Sequence, residues 1–220
     1  MAEKKPISTP QADIFTRAED FFEHNKKWIS FGISTALVLI VAVVAINNFY
    51  LPSREKEAQE QMFRAQQYFE KDSFRLALNG DGNYDGFLKI IDDYSWTKAA
   101  CLSHYYAGIS YLRLGEYDNA ITHLRKFSTR EPIVGAMGLG ALGDAYSEKN
   151  DMDEAVNYYQ KAAKKANNEV ISPYYLLKAG LALKVKGKNE EALEVFKKIK
   201  SNYPESNEGK EIDKYIAMVS

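Results

Sequence analysis

The sequence predicts an all-α protein in two parts, a single N-terminal transmembrane helix followed by an α-solenoid of stacked helical hairpins. Three observations carry this expectation. Residues 31–46 read FGISTALVLIVAVVAI, without a charge. From Cys101 onward, glycine, tyrosine, alanine and aromatic residues recur with a period of 33 to 37. Turn residues Gly115, Asn150 and Gly187 divide each period into two helix-length halves.

The arm ahead of the anchor, residues 1–27, holds five basic and five acidic residues. Thr9 and Pro10 form a helix start, a capping hydroxyl followed by a proline whose missing N–H costs nothing there. Ile14, Phe15, Ala18, Phe21 and Phe22 then fall on one helical face. An amphipathic helix lying on the membrane or a partner is expected, with a simple extension of the transmembrane helix as the alternative.

The anchor itself covers residues 28–51. At 1.5 Å per residue, Trp28 to Tyr50 spans about 34 Å, enough for a hydrocarbon core of about 30 Å. Lys26, Lys27 and Arg54 flank it, and Trp28 and Tyr50 suit the two interfaces. A cleaved signal peptide fits poorly. The run is too long and starts too late, and Ala42 and Ala45 are wrongly spaced for cleavage. Gly32 and Ala36 have the four-residue spacing of packed transmembrane helices. Nearby basic residues tie: Arg17, Lys26 and Lys27 against Arg54, Lys56 and Arg64. Charge alone therefore leaves the topology open.

Beyond the anchor lie about 170 residues, enough for one domain with its own core. The chain carries 29 basic and 30 acidic residues, so no global field draws it to nucleic acid. A single cysteine, Cys101, excludes an internal disulfide and multi-cysteine metal sites. His24, His104 and His123 are scattered, and a histidine metal site is not expected.

In the repeat region, Gly108, Gly143 and Gly180 fall in step, as do Ala120, Ala155 and Ala192, and then Leu124, Tyr159 and Phe196. Two antiparallel helices approach closely where both present small side chains, with large residues filling either side. Pro132 and Pro204 end the second helices. These residues resemble the tetratricopeptide (TPR) repeat, placed at about 101–134, 136–169 and 173–206, with a capping helix over 207–220. The TPR tryptophan is replaced by His104, Leu139 and Leu176. Asn167 replaces the middle proline, and a wider junction is expected there. Residues 52–100 are expected to hold a linking helix and a degenerate first unit, with Phe87 in place of the alanine. Its insertion, SFRLALNGDGN, is too long for a TPR turn.

Few residues suggest chemistry. Asp81, Asn83, Asp85 and Gly86 match the first three ligand positions and the glycine of a calcium loop over 81–92, but Lys89 at the ninth position and Asp92, standing where a bidentate Glu is needed at the twelfth, do not. The repeat also needs helix where that loop needs extended backbone, so a Gly/Asn turn capping a helix is favoured. Cys101 and His104 mimic a Cys/His pair without an orienting group, which a helical core position explains more simply. Neither an enzyme nor a cofactor is implied.

The TPR resemblance implies a concave groove lined by positions 2, 5, 9 and 12 of each repeat. Those are Leu102, Tyr105, Ile109 and Leu112; then Met137, Gly140, Asp144 and Ser147; then Tyr174, Leu177, Leu181 and Lys184. This set is apolar for a face meeting water, which points to a partner. The alternative is that the capping helix or the first unit covers it. Together, FFEHNKKWI, the membrane helix, a Glu/Gln-rich helix and the repeats resemble the YfgM-like family. That resemblance implies an ancillary subunit of the bacterial SecYEG translocon at the inner membrane, with a cytoplasmic arm and periplasmic repeats. Its implied partners are a PpiD-like membrane-anchored chaperone and client polypeptides. A scaffold of another envelope assembly or secretion complex, and a cytoplasmic-facing TPR adaptor, remain as alternatives.

Overall fold

The computed structural model describes the backbone of residues 10–220 and the side chains of residues 21 and 23–220. It divides into two units, Met1–Ser53 and Arg54–Ser220.

In the first unit, helix α1 runs from Pro10 to Ala45 and is followed by a π-helical turn, Ile46–Tyr50. The helix is continuous from the arm into the apolar stretch. The side chains of Ile14, Phe15, Ala18 and Phe22 lie outside the described residues, and Phe21 is exposed. Trp28, Phe31, Val38, Phe49 and Tyr50 are exposed as well, so this stretch is not the core of a globule. Among the described residues it is the one helix long and apolar enough to cross a membrane. A methyl added at Gly32 would meet nothing within 4 Å.

The second unit is built from α2 (Leu51–Glu70, its residues from Arg54 on), α3 (Phe74–Asn79), α4 (Phe87–Asp93), α5 (Lys98–Arg113), α6 (Tyr117–Lys126), α7 (Pro132–Glu148), α8 (Met152–Ala166), α9 (Ile171–Val185), α10 (Asn189–Asn202) and α11 (Asn207–Ala217). Three hairpins, α5–α6, α7–α8 and α9–α10, repeat one design, and the whole is an all-α TPR solenoid. Each hairpin turns through one left-handed residue: Gly115, Asn150 or Gly187. Glycine and asparagine tolerate that conformation best. The following N–H groups, of Glu116, Asp151 and Lys188, return to the carbonyls of Tyr111, Tyr146 and Leu183 at 2.9, 2.9 and 3.0 Å. The same Schellman closure thus ends all three first helices.

Close approach fixes each pair. A Cβ at Gly108, Gly143 or Gly180 would collide with the side chain of Leu124, Tyr159 or Phe196 on the facing helix. Ala120, Ala155 and Ala192 have no solvent exposure. Exposed ion pairs strap neighbouring hairpins at matching places. Lys149, after α7, meets Asp118 of α6, and Lys186, after α9, meets Asp153 of α8.

The junction at Asn167 is not wider than the others; α8 and α9 are four residues apart, against five between α6 and α7. Asn167 adopts a left-handed conformation. Asn168 Oδ1 then accepts from the N–H groups of Val170 and Ile171 at 3.0 and 2.7 Å. Ser172 Oγ donates to the Ala163 carbonyl at 2.9 Å. This capped turn does the work of the missing proline. At the other end, α11 packs on α10 and α9 and buries Ile212 and Val219.

The stretch read as an insertion is partly helical. Its first half forms α3, and a loop closed by a Gly80–Asp85 bridge leads into α4. A Cβ at Gly86 would run into the backbone of Leu78 and Gly80, which only glycine avoids. Ala58, Met62 and Ala65 of α2 close this core together with Ala77, Leu78, Phe87 and Ile90.

Candidate protein-binding groove

The residues mapped to the concave face are only partly brought together. Ile109 and Leu112 of α5, Asp144 and Ser147 of α7 and Tyr174 of α9 line one open cavity of about 630 Å³. Leu181 lines a smaller one beside it with Ser147, and Met137 shares a third, of about 600 Å³, with Tyr174. Met137 and Tyr174 are exposed, and Ile109, Leu112 and Leu181 are half-buried. Leu102 instead packs on the core closed by α2, α3 and α4, and Leu177 packs on the core of the repeats. The Tyr105 ring lies 5.2 Å from that of Phe127. Gly140 is buried beneath the ring of Tyr175, which crosses from α9. Lys184 Nζ reaches Met218 Sδ, just past α11, at 3.6 Å.

A polar cluster stands in the lining of the cavity of about 630 Å³. The absence of a side chain at Gly143 lets the Tyr159 ring pass between α7 and α8, and its hydroxyl donates to Asp144 Oδ1 at 2.7 Å. Lys178 of α9 donates to the same oxygen at 2.6 Å and lies 5.4 and 5.2 Å from the ring centroids of Tyr159 and Tyr174. Burial, with Asp144 adding to it, raises the Tyr159 phenol far above its ordinary range, so it stays a neutral donor. Burial alone would lower the Lys178 ammonium, but the hydrogen bond and charge of Asp144 outweigh it and the net shift is upward. The wall is therefore mixed, with apolar patches around a neutralised ion pair. Such a surface can hold an extended backbone by hydrogen bonds and seat apolar side chains.

Lys178, Tyr159 and Tyr175 were not among the expected groove residues. The first had a trace in the sequence, since Asp144 and Lys178 are opposite charges one repeat apart on successive first helices. Tyr159 and Tyr175 had none, because the helical pattern marks them only as core.

Two histidines that looked scattered meet. His104 Nδ1 on α5 and His123 Nδ1 on α6 are 3.1 Å apart, inside the first hairpin. The ring centroids lie 5.2 Å apart, so the nitrogens point almost directly at one another, as in a hydrogen bond. A metal would need both lone pairs aimed at a third point. Burial, then the charges of His123 and Lys126, lower His104 to about 4. Cys101 is engaged elsewhere, donating to the Ser128 carbonyl at 3.1 Å.

The calcium-loop residues also turn inward. Asp81 accepts from the N–H groups of Asn83 and Tyr84 and from the Tyr68 hydroxyl. Asp85 pairs with Lys89, and the backbone is already helical at Phe87. Among the described residues no group of three or more metal-ligating side chains is found.

Residues 139–170 match one tetratricopeptide-repeat family model, and residues 103–132 and 174–206 match a second. These segments coincide with the three hairpins. A search of curated proteins finds no match. Repeats of this kind are typically the framework of non-enzymatic protein–protein interaction adaptors.

Proposed function

We propose that this chain is a non-enzymatic, membrane-anchored TPR adaptor that holds a polypeptide segment in its concave face. The observation that carries this reading is the open cavity in which Ile109, Leu112 and Tyr174 surround the Asp144–Lys178 pair. An anchored adaptor concentrates its partner at the membrane, where even weak capture suffices. The finer assignment rests on the resemblance of arm, anchor, polar helix and repeats to YfgM-like proteins. By it, the protein sits at the bacterial inner membrane beside the SecYEG translocon, with the N-terminus cytoplasmic and the repeats periplasmic. Its partners there are a PpiD-like chaperone or emerging clients.

Recovery of SecY, SecE or SecG with the tagged protein in mild detergent is the expected result; repeated recovery of none would overturn the Sec assignment. Protease added to spheroplasts should digest the repeats, and their survival would place them in the cytoplasm. Replacing Ile109 and Tyr174 by Asp should abolish partner capture while leaving helicity intact. Unchanged capture would remove the groove from the reading.

A further inference from the structure

We propose that the turn at residues 94–97 is a second membrane contact, in which Trp96 enters the headgroup layer beside the anchor. Trp96 is 86 % exposed, more than any other large apolar side chain described in Arg54–Ser220. It is held out rigidly. Its neighbours Tyr94 and Thr97 are buried, and the Thr97 N–H and hydroxyl both donate to the Tyr94 carbonyl, at 2.9 and 2.7 Å. Thr97 Oγ1 in turn accepts from the Ala100 N–H at 3.0 Å, capping α5.

The turn is tied to the first charged residues after the apolar run. Arg54 donates to the Asp93 carbonyl at 2.8 Å, and its guanidinium lies 4.3 Å from the Tyr94 ring centroid. Glu55 accepts from the N–H groups of Lys98 and Ala99 at 2.6 and 3.2 Å. Arg54 follows Tyr50 by four residues. Four residues reach at most about 14 Å even when fully extended, and one headgroup layer is about 5–8 Å thick. Residues fastened to Arg54 are thus within reach of that layer by covalent connection. An indole, apolar with one N–H donor, is most favourably placed at that depth. Nearby charges are mixed, Arg54 and Lys98 against Glu55, Glu57 and Asp93, so insertion of the ring and not attraction to anionic lipid is the driving term.

The inference rests on the anchor and not on the Sec assignment. The chain has two tryptophans, so full-length protein carrying Trp28→Phe reports on Trp96 alone. In phosphatidylcholine nanodiscs, which expose both faces, lipid spin-labelled near the headgroup should quench Trp96 emission. Iodide should quench it about threefold less than free tryptophan, with no dependence on added anionic lipid. Glu55→Gln, with helicity checked by circular dichroism, should shift Trp96 toward water. Co-elution with the disc reports the anchor separately. Protein that stays with the disc while Trp96 is quenched by iodide like free tryptophan and ignores labelled lipid would overturn the contact. A ring kept for a protein partner would give that result. Protein that does not co-elute would overturn the anchor and the contact with it.

Discussion

Phe196 on α10 and Phe87 on α4 are both without solvent exposure, yet their surroundings differ. Phe196 lies against Gly180, where no side chain intervenes, and belongs to a hairpin whose turn, alanine and glycine recur in its neighbours. Phe196 has one aromatic neighbour, Tyr215 of α11 at 5.8 Å, whereas Phe87 lies between two, stacked on Tyr106 at 5.2 Å and edge-on to Phe69 at 6.5 Å, with α3 packed beside α4. The regular hairpins reach their spacing by removing atoms from the contact. The region of α2–α4 fills its contact with rings. The glycine contact cannot adjust by moving a facing side chain, whereas rings and a six-residue helix are expected to shift more readily.

Replacing either phenylalanine by alanine gives the sharpest test of that difference. Phe196→Ala should cost about 3–5 kcal/mol in reversible unfolding, because the cavity would be walled by α9, α10 and Tyr215 of α11, which hold one another in place. Phe87→Ala should fall at or below the low end of that range. A larger loss at Phe87 would show the aromatic group to be the more tightly specified core. Gly180→Ala comes next, at about 1–3 kcal/mol, since the new methyl would meet the Phe196 ring. Gly180→Ala combined with Phe196→Leu should recover part of the loss, and no recovery would mean the glycine acts through something besides that contact.

A smaller effect separates the two regions by pH. His104 and His123 lie in the first hairpin; Asp92 of α4, Lys126 of α6 and the Tyr111 ring are near them. A neutral pair shares one Nδ1–H···Nδ1 bond, and one further proton can be taken at the donor's Nε2. A second puts two N–H groups head to head. His104 titrates at about 4 folded and near 6.5 unfolded, so the unfolded chain binds the extra proton between those values. Its stabilisation is full above about pH 6.5 and is lost as pH falls toward 4. Since the ring is half-exposed, the total is about 1–2 kcal/mol. His104→Gln should flatten stability against pH in this window; an unchanged slope would assign it to other groups. Lys178→Met should cost least, about 0.5–1 kcal/mol, since its pair with Asp144 is partly solvated. Its larger effect should be on partner capture, where equal capture by wild type and variant would separate the ion pair from binding.

Much of the repeat architecture was legible because its causes are local. The period, the left-handed turns at Gly115, Asn150 and Gly187, and the glycine-opposite-large-residue pairs each follow from short-range helix geometry. The junction at Asn167 misled because the proline rule has a substitute: one left-handed asparagine and one asparagine cap make an equally short turn. The insertion was seen, but α3 was not, since six residues are too few to show a helical period. The residues mapped to the concave face divide. Ile109, Leu112, Asp144 and Tyr174 converge, whereas Leu102 and Leu177 were claimed by cores that the repeat register does not reveal.

By itself the sequence determined the apolar helix, the three hairpins and the small residues that let them close, all of which follow from helix periodicity and from short turns that bring one helix back onto the next. Only the tertiary structure decided that Asp144 meets Lys178 across 34 residues, His104 meets His123 across 19, and Arg54 holds the carbonyl of Asp93 across 39. Polar partners at such separations are chosen by how helices dock, and an isolated helical pattern fixes which face a side chain occupies but not what stands opposite it.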